Sequence, residues 1–306
     1  MSWFNKLIVK LMPLAPKLLI AQVAKRYIAG ETLQAGIRKV AELSEQGFLT
    51  TMDVLGEHVS SKEDTEKPMR TYQDLIREIH EHQGLKTGLS VKLTQLGLNI
   101  DKEFCWENLR QLVDLGRETG LFIRIDMEDS GVTEDTLELF ERSMKIYDRM
   151  GIAIQAYLRR SENDMERLIR LGANVRVCKG IYNEPSEIAF QDREEIRLNF
   201  VRLGKMHLNA GGYLAIATHD QYLIDHFRTY IENKQIPTSQ YEYQALLGVP
   251  IDDTLKWLVN EGKRVRIYTP FGDDWYAYSS RRLKENPDIA GYVVKDFFKH
   301  APVSSG

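Results

Sequence analysis

Cysteine is scarce in this chain: its 306 residues hold only Cys105 and Cys178. Neither has a second cysteine or a histidine at metal-ligand spacing, so a disulfide scaffold is excluded. Both read as reduced thiols of a cytoplasmic protein. The seven histidines form no H-x-x-x-H pattern and no Cys/His cluster, and no metal is expected. Neither sign of charge prevails, since 41 Lys and Arg stand against 44 Asp and Glu. The net charge of −3 gives no ground for a nucleic-acid partner. No G-x-G-x-x-G fingerprint occurs, which weakens a dinucleotide-binding doubly wound sheet.

Long apolar runs are missing as well. Residues 1–30 interleave Trp3, Phe4, Leu7, Ile8 and Leu11 with Lys6, Lys10, Lys17, Lys25 and Arg26, and no acid precedes Glu31. Nothing there approaches the roughly 18 apolar residues of a spanning helix, and Pro13 and Pro16 interrupt the stretch. The lysines also break any apolar centre of a signal peptide. Two readings stay open: a basic amphipathic segment lying on a membrane surface, or a helical arm packed on the main domain.

What is present is a rhythm. After a helical stretch at 34–46, β-rich runs recur at 48–56, 89–97, 121–129, 152–159, 173–180, 212–220, 239–248 and 264–272, with amphipathic stretches between them. Strands alternating with helices imply parallel pairing and right-handed crossovers. Eight such units predict an α/β fold, a (βα)₈ TIM-like barrel with an N-terminal helical arm. The arm takes residues 1–45 and the catalytic domain residues 46–306. The charged connection at 60–68 is long for a βα loop and is expected to form a lid or solvated flap.

Several of these strands carry polar residues toward their carboxyl ends: Lys92, Arg124, Asp126, Gln155, Arg176, Lys179, His219, Glu242 and Gln244. Period-two spacing places Arg124, Asp126 and Glu128 on one face, and Gln155 with Tyr157 on another. Burying an unpaired charge costs several kcal/mol, so the residues either plug the barrel as ion pairs or form a site at the rim, where this fold places its chemistry. The last unit adds Tyr278, Arg281, Arg282 and Glu285 at i, i+3, i+4 and i+7 on one helix face. Adjacent guanidinium groups suit a carboxylate or phosphate, and Tyr268 and Tyr278 bracket the pair. Lys92 or Lys179 could instead form a Schiff base, as in an aldolase. A non-catalytic amino-acid-binding barrel is the remaining alternative.

The stretches SVKLTQLG, RIDMEDS, IQAYLRR, VRVCKGIY, ATHD, YEYQALLG and RIYTPFG, with RRLKEN further on, resemble the strand-end motifs of proline dehydrogenases. The likeness is to the bacterial single-function form and to the matching domain of bifunctional proline-utilisation enzymes. It runs over residues 46–290 in the expected order. It implies an FAD-dependent enzyme that oxidises L-proline to Δ¹-pyrroline-5-carboxylate and passes electrons to a membrane quinone, in the cytoplasm or peripherally on the inner face of the cell membrane. Lys92, Arg281 and Arg282 are then expected on the proline carboxylate, with Tyr268, Tyr278, Leu246 and Tyr182 around the ring. Asp126 and Arg176 are the expected catalytic pair. Met127, Gln155, Arg176, Lys179, Gly180, Ile181, Thr218, His219 and Glu285 are expected at the flavin. Asp53 and Glu57 match acids that gate the site by meeting the first of the two arginines.

Overall fold

The computed structural model describes residues 26–56, 59–82, 84–249, 251–276 and 278–279. Eight strands follow one another: β1 (Leu49–Val54), β2 (Thr87–Val91), β3 (Ile123–Ile125), β4 (Met150–Gln155), β5 (Asn174–Cys178), β6 (Leu214–Ala217), β7 (Tyr241–Leu246) and β8 (Val265–Phe271). All pair in parallel and in sequence order, and β8 returns to β1, so the sheet is a closed barrel. The open doubly wound alternative is excluded by that last pairing.

The helices are α1 (Leu33–Glu45), α2 (Glu66–Glu81), α3 (Lys102–Thr119), α4 (Thr133–Met144), α5 (Ser161–Arg170), α6 (Arg193–Asn209), α7 (Gln221–Lys234) and α8 (Asp252–Asn260). Caps set several of their starts. Thr32, Asp101, Asp192 and Asp220 each turn a side-chain oxygen onto a first-turn N–H, satisfying donors that have no intrahelical partner. Alternate strand residues such as Met52, Leu89, Ile123, Ile152, Val175, Ile216 and Ile267 are buried against these helices. Each such side chain contributes about 1.5–3 kcal/mol when fully buried. Among the described residues no helix is long and apolar enough to cross a membrane.

Residues 26–45 lie on the barrel wall. Tyr27 and Ile28 are buried, and the Ala29 N–H donates to the Pro270 carbonyl at 2.8 Å. Helix α1 can approach β1 and β8 closely because Gly36 has no side chain. A β-carbon there would sit 2.7 Å from Met52 Cε and 3.3 Å from Phe271 Cγ.

Two local expectations are corrected. The stretch at 60–68 is not a flap: Glu63–Thr65 forms a 3₁₀ turn that runs directly into α2. Asp64 organises it by accepting from the Ser60 and Ser61 N–H groups at 3.1 and 2.9 Å. The second strand also ends earlier than the alternation indicated. Leu93–Leu96 is a 3₁₀ turn closed by Gly97 at φ +98°.

Candidate active site

The barrel interior has two polar layers. In the lower one, Arg266 Nε and Nη2 donate to the two carboxylate oxygens of Glu242 at 2.7 and 3.1 Å. Gln244 and Tyr213 add hydrogen bonds to the same carboxylate at 2.6 and 2.9 Å. Burial works to raise Glu242, but the charge of Arg266 and these donors hold it down at about 2. Arg124, 1% exposed, donates to Asn174 Oδ1 at 2.6 Å and to the Ile152 carbonyl at 3.2 Å. Arg124 and Glu242 therefore belong to the packed plug, not to the rim where strand-end position had placed them. Asp126 and Glu128 lie beyond β3, which ends at Ile125, and both line the cavity above Arg124.

The upper layer opens into a cavity of about 790 Å³ at the carboxyl ends of the strands. Its centre is Asp126. Ser90 Oγ and Arg176 Nη2 both donate to Asp126 Oδ1, the latter at 2.7 Å, and the Tyr268 hydroxyl donates to Oδ2 at 2.8 Å. Burial opposes ionisation here, yet Arg176, Lys92 and the hydrogen bonds bring Asp126 below the ordinary carboxylate range. The same pairing overrides burial at Arg176 and raises it. Lys92 Nζ is 3.4 Å from the Tyr268 hydroxyl and 4.0 Å from Asp126 Oδ2, and it is hydrogen-bonded to Asp53 Oδ1. Asp53, one of the two acids expected to gate the site, is 1% exposed with Lys92 as its partner. Burial raises its pKa against the pull of Lys92.

A second cluster forms one flank. Asp220 receives Lys179 Nζ, and also Arg197 Nε and Nη2 at 2.7 and 3.0 Å. Arg193 stands 3.7 Å away. Arg197 and Lys179, against burial, hold Asp220 at about 2. Gly180 adopts φ +109°, and a β-carbon there would overlap the Tyr157 ring. Tyr157 has thus left the strand face shared with Gln155; it packs with Leu158, Ala189 and Tyr182. Gln155 donates to the Glu128 carbonyl at 2.6 Å, and His219 Nε2 accepts from the Leu246 N–H at 3.0 Å.

Asp53, Lys92, Asp126, Met127, Gln155, Arg176, Lys179, Gly180, Ile181, Tyr182, Thr218, His219, Leu246, Tyr268 and Tyr278 all line this one cavity. Glu57, Arg281, Arg282 and Glu285 lie outside the described residues. Residue reasoning missed Thr94, Gln95, Arg193 and Asp220, which also line it, and Ser90 beneath. Of these, Asp220 had a signal: it directly follows Thr218 and His219 and precedes a helix. Among the described residues no group of three or more His, Cys, Asp or Glu could hold a metal ion.

A family model described as proline dehydrogenase matches residues 36–295. The chain belongs to the proline dehydrogenase family. Among its proline dehydrogenase relatives, proline dehydrogenase 1 of Bacillus subtilis (strain 168) is 36% identical over 276 residues, covering 90% of this chain and 91% of the relative. The proline dehydrogenase of Deinococcus radiodurans is 36% identical over 282 residues and 90% of each chain. The bifunctional protein PutA of Escherichia coli (strain K12) is 27% identical over 89% of this chain and 24% of its own length. In the crystal structure of proline utilization A from Bdellovibrio bacteriovorus, inactivated by N-propargylglycine, the matching region superposes with a TM-score of 0.81 at 26% identity. That region covers 92% of this chain, which spans only about a third (34%) of that protein.

Proposed function

We propose that this chain oxidises L-proline to Δ¹-pyrroline-5-carboxylate with FAD as its cofactor, and that a membrane quinone takes the electrons. The observation that carries the reading is the joining of Lys92, Asp126, Arg176 and Tyr268 in one hydrogen-bonded corner of the cavity, in a chain of the proline dehydrogenase family. The lysines that could have formed a Schiff base each carry a carboxylate partner, Lys92 on Asp53 and Lys179 on Asp220.

The residues present fit a flavin nucleotide. The cavity of about 790 Å³ lies within the span of small-molecule sites. Lys179 and Arg193 place cations on one flank of it, and Gly180 lines it with backbone alone. In this reading Met127, Gln155, Arg176, Lys179, Gly180, Ile181, Thr218, His219 and Glu285 hold the cofactor. FAD, when bound, supplies a hydride acceptor.

Lys92, with Arg281 and Arg282, takes the substrate carboxylate and fixes the orientation of the imino acid, a positional gain that can reach several kcal/mol. Tyr268, Tyr278, Leu246 and Tyr182 close around its ring and exclude water. Asp126 holds Arg176 and Tyr268 in place from its two oxygens, so that the guanidinium stays charged where negative charge develops. Asp53 and Glu57 are the acids proposed for the gate. We assign residues 46–306 to the catalytic domain and residues 1–45 to the arm, whose basic first half is the proposed contact with a membrane surface.

The test is direct. The purified protein should be yellow and should bleach anaerobically on addition of L-proline. A preparation reconstituted with FAD that L-proline leaves fully oxidised overturns the reading.

A further inference from the structure

Resting on that reading, we propose that Asp53 is the counter-ion of Lys92 which the substrate carboxylate displaces, and that Asp53 takes up one proton as this exchange occurs. The geometry sets the problem. Lys92 Nζ is already engaged by Asp53 and lies 3.4 Å from the Tyr268 hydroxyl. Asp53 is 1% exposed, so water cannot screen it once its cation turns to another acid. Around it stand Lys92 from the end of β2, Asp126 from the end of β3, Tyr72 from α2 and Tyr268 from β8, with Glu128 beyond Tyr72 and Arg176 paired to Asp126.

The hydrogen bond from Lys92 to Asp53 breaks, one from Lys92 to the substrate acid forms, and Asp53, buried and left without its cation, takes a proton. Burial already favours the neutral form of Asp53, whereas Asp126 is held ionised by Arg176 and Ser90. With L-proline the balance closes internally. The ammonium must lose a proton before hydride can leave, Asp53 gains one, and none is exchanged with buffer. With a five-membered cyclic acid that has no amine, the proton comes from solvent.

The experiment titrates the holoenzyme with tetrahydrofuran-2-carboxylate, by calorimetry in buffers of different ionisation heat, and follows the affinity against pH. The expected result is uptake of about one proton per bound acid, with affinity falling about tenfold per pH unit where uptake is complete. Asp53→Asn should bind the acid without uptake, and Glu128→Gln should keep it. Binding to the wild type without uptake overturns the proposal, as does uptake lost in Glu128→Gln but kept in Asp53→Asn. If the acid does not bind and L-proline fails to bleach the flavin, the reading of the site falls as well. If L-proline bleaches it and uptake is absent, only the proposal for Asp53 falls.

Discussion

Glu242 and Arg266 meet through two parallel hydrogen bonds, 2.7 and 3.1 Å long, one layer below the cavity floor. Glu242 is 1% exposed, so this pair supports the site from inside the barrel without touching it. Its carboxyl is held at about 2, below its ordinary value of 4.5. A depressed carboxylate contributes its stability in full above the unfolded value and loses it as pH falls through the folded one. Thermal stability should therefore decline between about pH 4.5 and 2, by roughly 3 kcal/mol from this group. Replacing Glu242 with Gln leaves Arg266 buried without a counter-charge. The variant should lose about 3–5 kcal/mol at neutral pH and show a flatter acid limb, read by denaturant melts across the pH range.

Lys92→Met removes one charged donor from the proposed carboxylate grip. The KM for L-proline should rise about 10- to 100-fold, as expected for a charge-assisted hydrogen bond, while the flavin content of the purified protein stays unchanged. Arg281→Met and Arg282→Met should move KM in the same direction. A variant that sheds flavin, yet is reduced normally once reconstituted, would show that its cation serves the cofactor instead.

Gly180→Ala tests the wall beside the cavity. At φ +109° an alanine is strained, and its β-carbon overlaps the Tyr157 ring. We expect a loss of about 1–3 kcal/mol in stability together with weaker FAD retention, followed by denaturant midpoint and by flavin released on dilution. Adding Tyr157→Ala should recover the steric part and leave the backbone part.

Deleting residues 1–25 should spare activity with a soluble dye acceptor and reduce partition to anionic liposomes, since attraction of a basic segment is worth about 1 kcal/mol per Lys or Arg near such a surface. Unchanged partition in a flotation assay would remove the membrane contact.

Much of the architecture was legible because local periodicity carries it. Alternation in β4 to β8 and helical spacing between them are properties of a few neighbouring residues, and the closed ring follows from eight repeats. What was not legible depends on the whole barrel. Glu242 and Gln244 share an inward face, as do Arg266 and Tyr268, yet the first of each pair lies in the plug and the second borders the cavity. Strand stagger decides this: Glu242 stands beside Ala215, and Arg266 beside Gln244. Partner choice was hidden for the same reason. Asp53 and Lys92 are 39 positions apart, and only strand pairing brings them together. The turn at Leu93–Leu96 passed for strand because Leu89, Val91 and Leu93 alternate with Ser90, Lys92 and Thr94 as strand residues do, although all four residues of the turn are buried.

The register between β1 and β8 runs through six rungs, from Leu49↔Arg266 to Val54↔Phe271. During synthesis, β1 therefore emerges long before its second neighbour exists, and its outer edge must wait for some 200 further residues. Loop-closure entropy makes such distant pairing slow, and an unpaired edge is a template for association with other chains. Tyr268, the hydroxyl that touches both Lys92 and Asp126, arrives on that final strand. A nascent or truncated chain ending before it has neither a sealed ring nor a finished pocket, so ring closure and competence for ligand are acquired in the same late event.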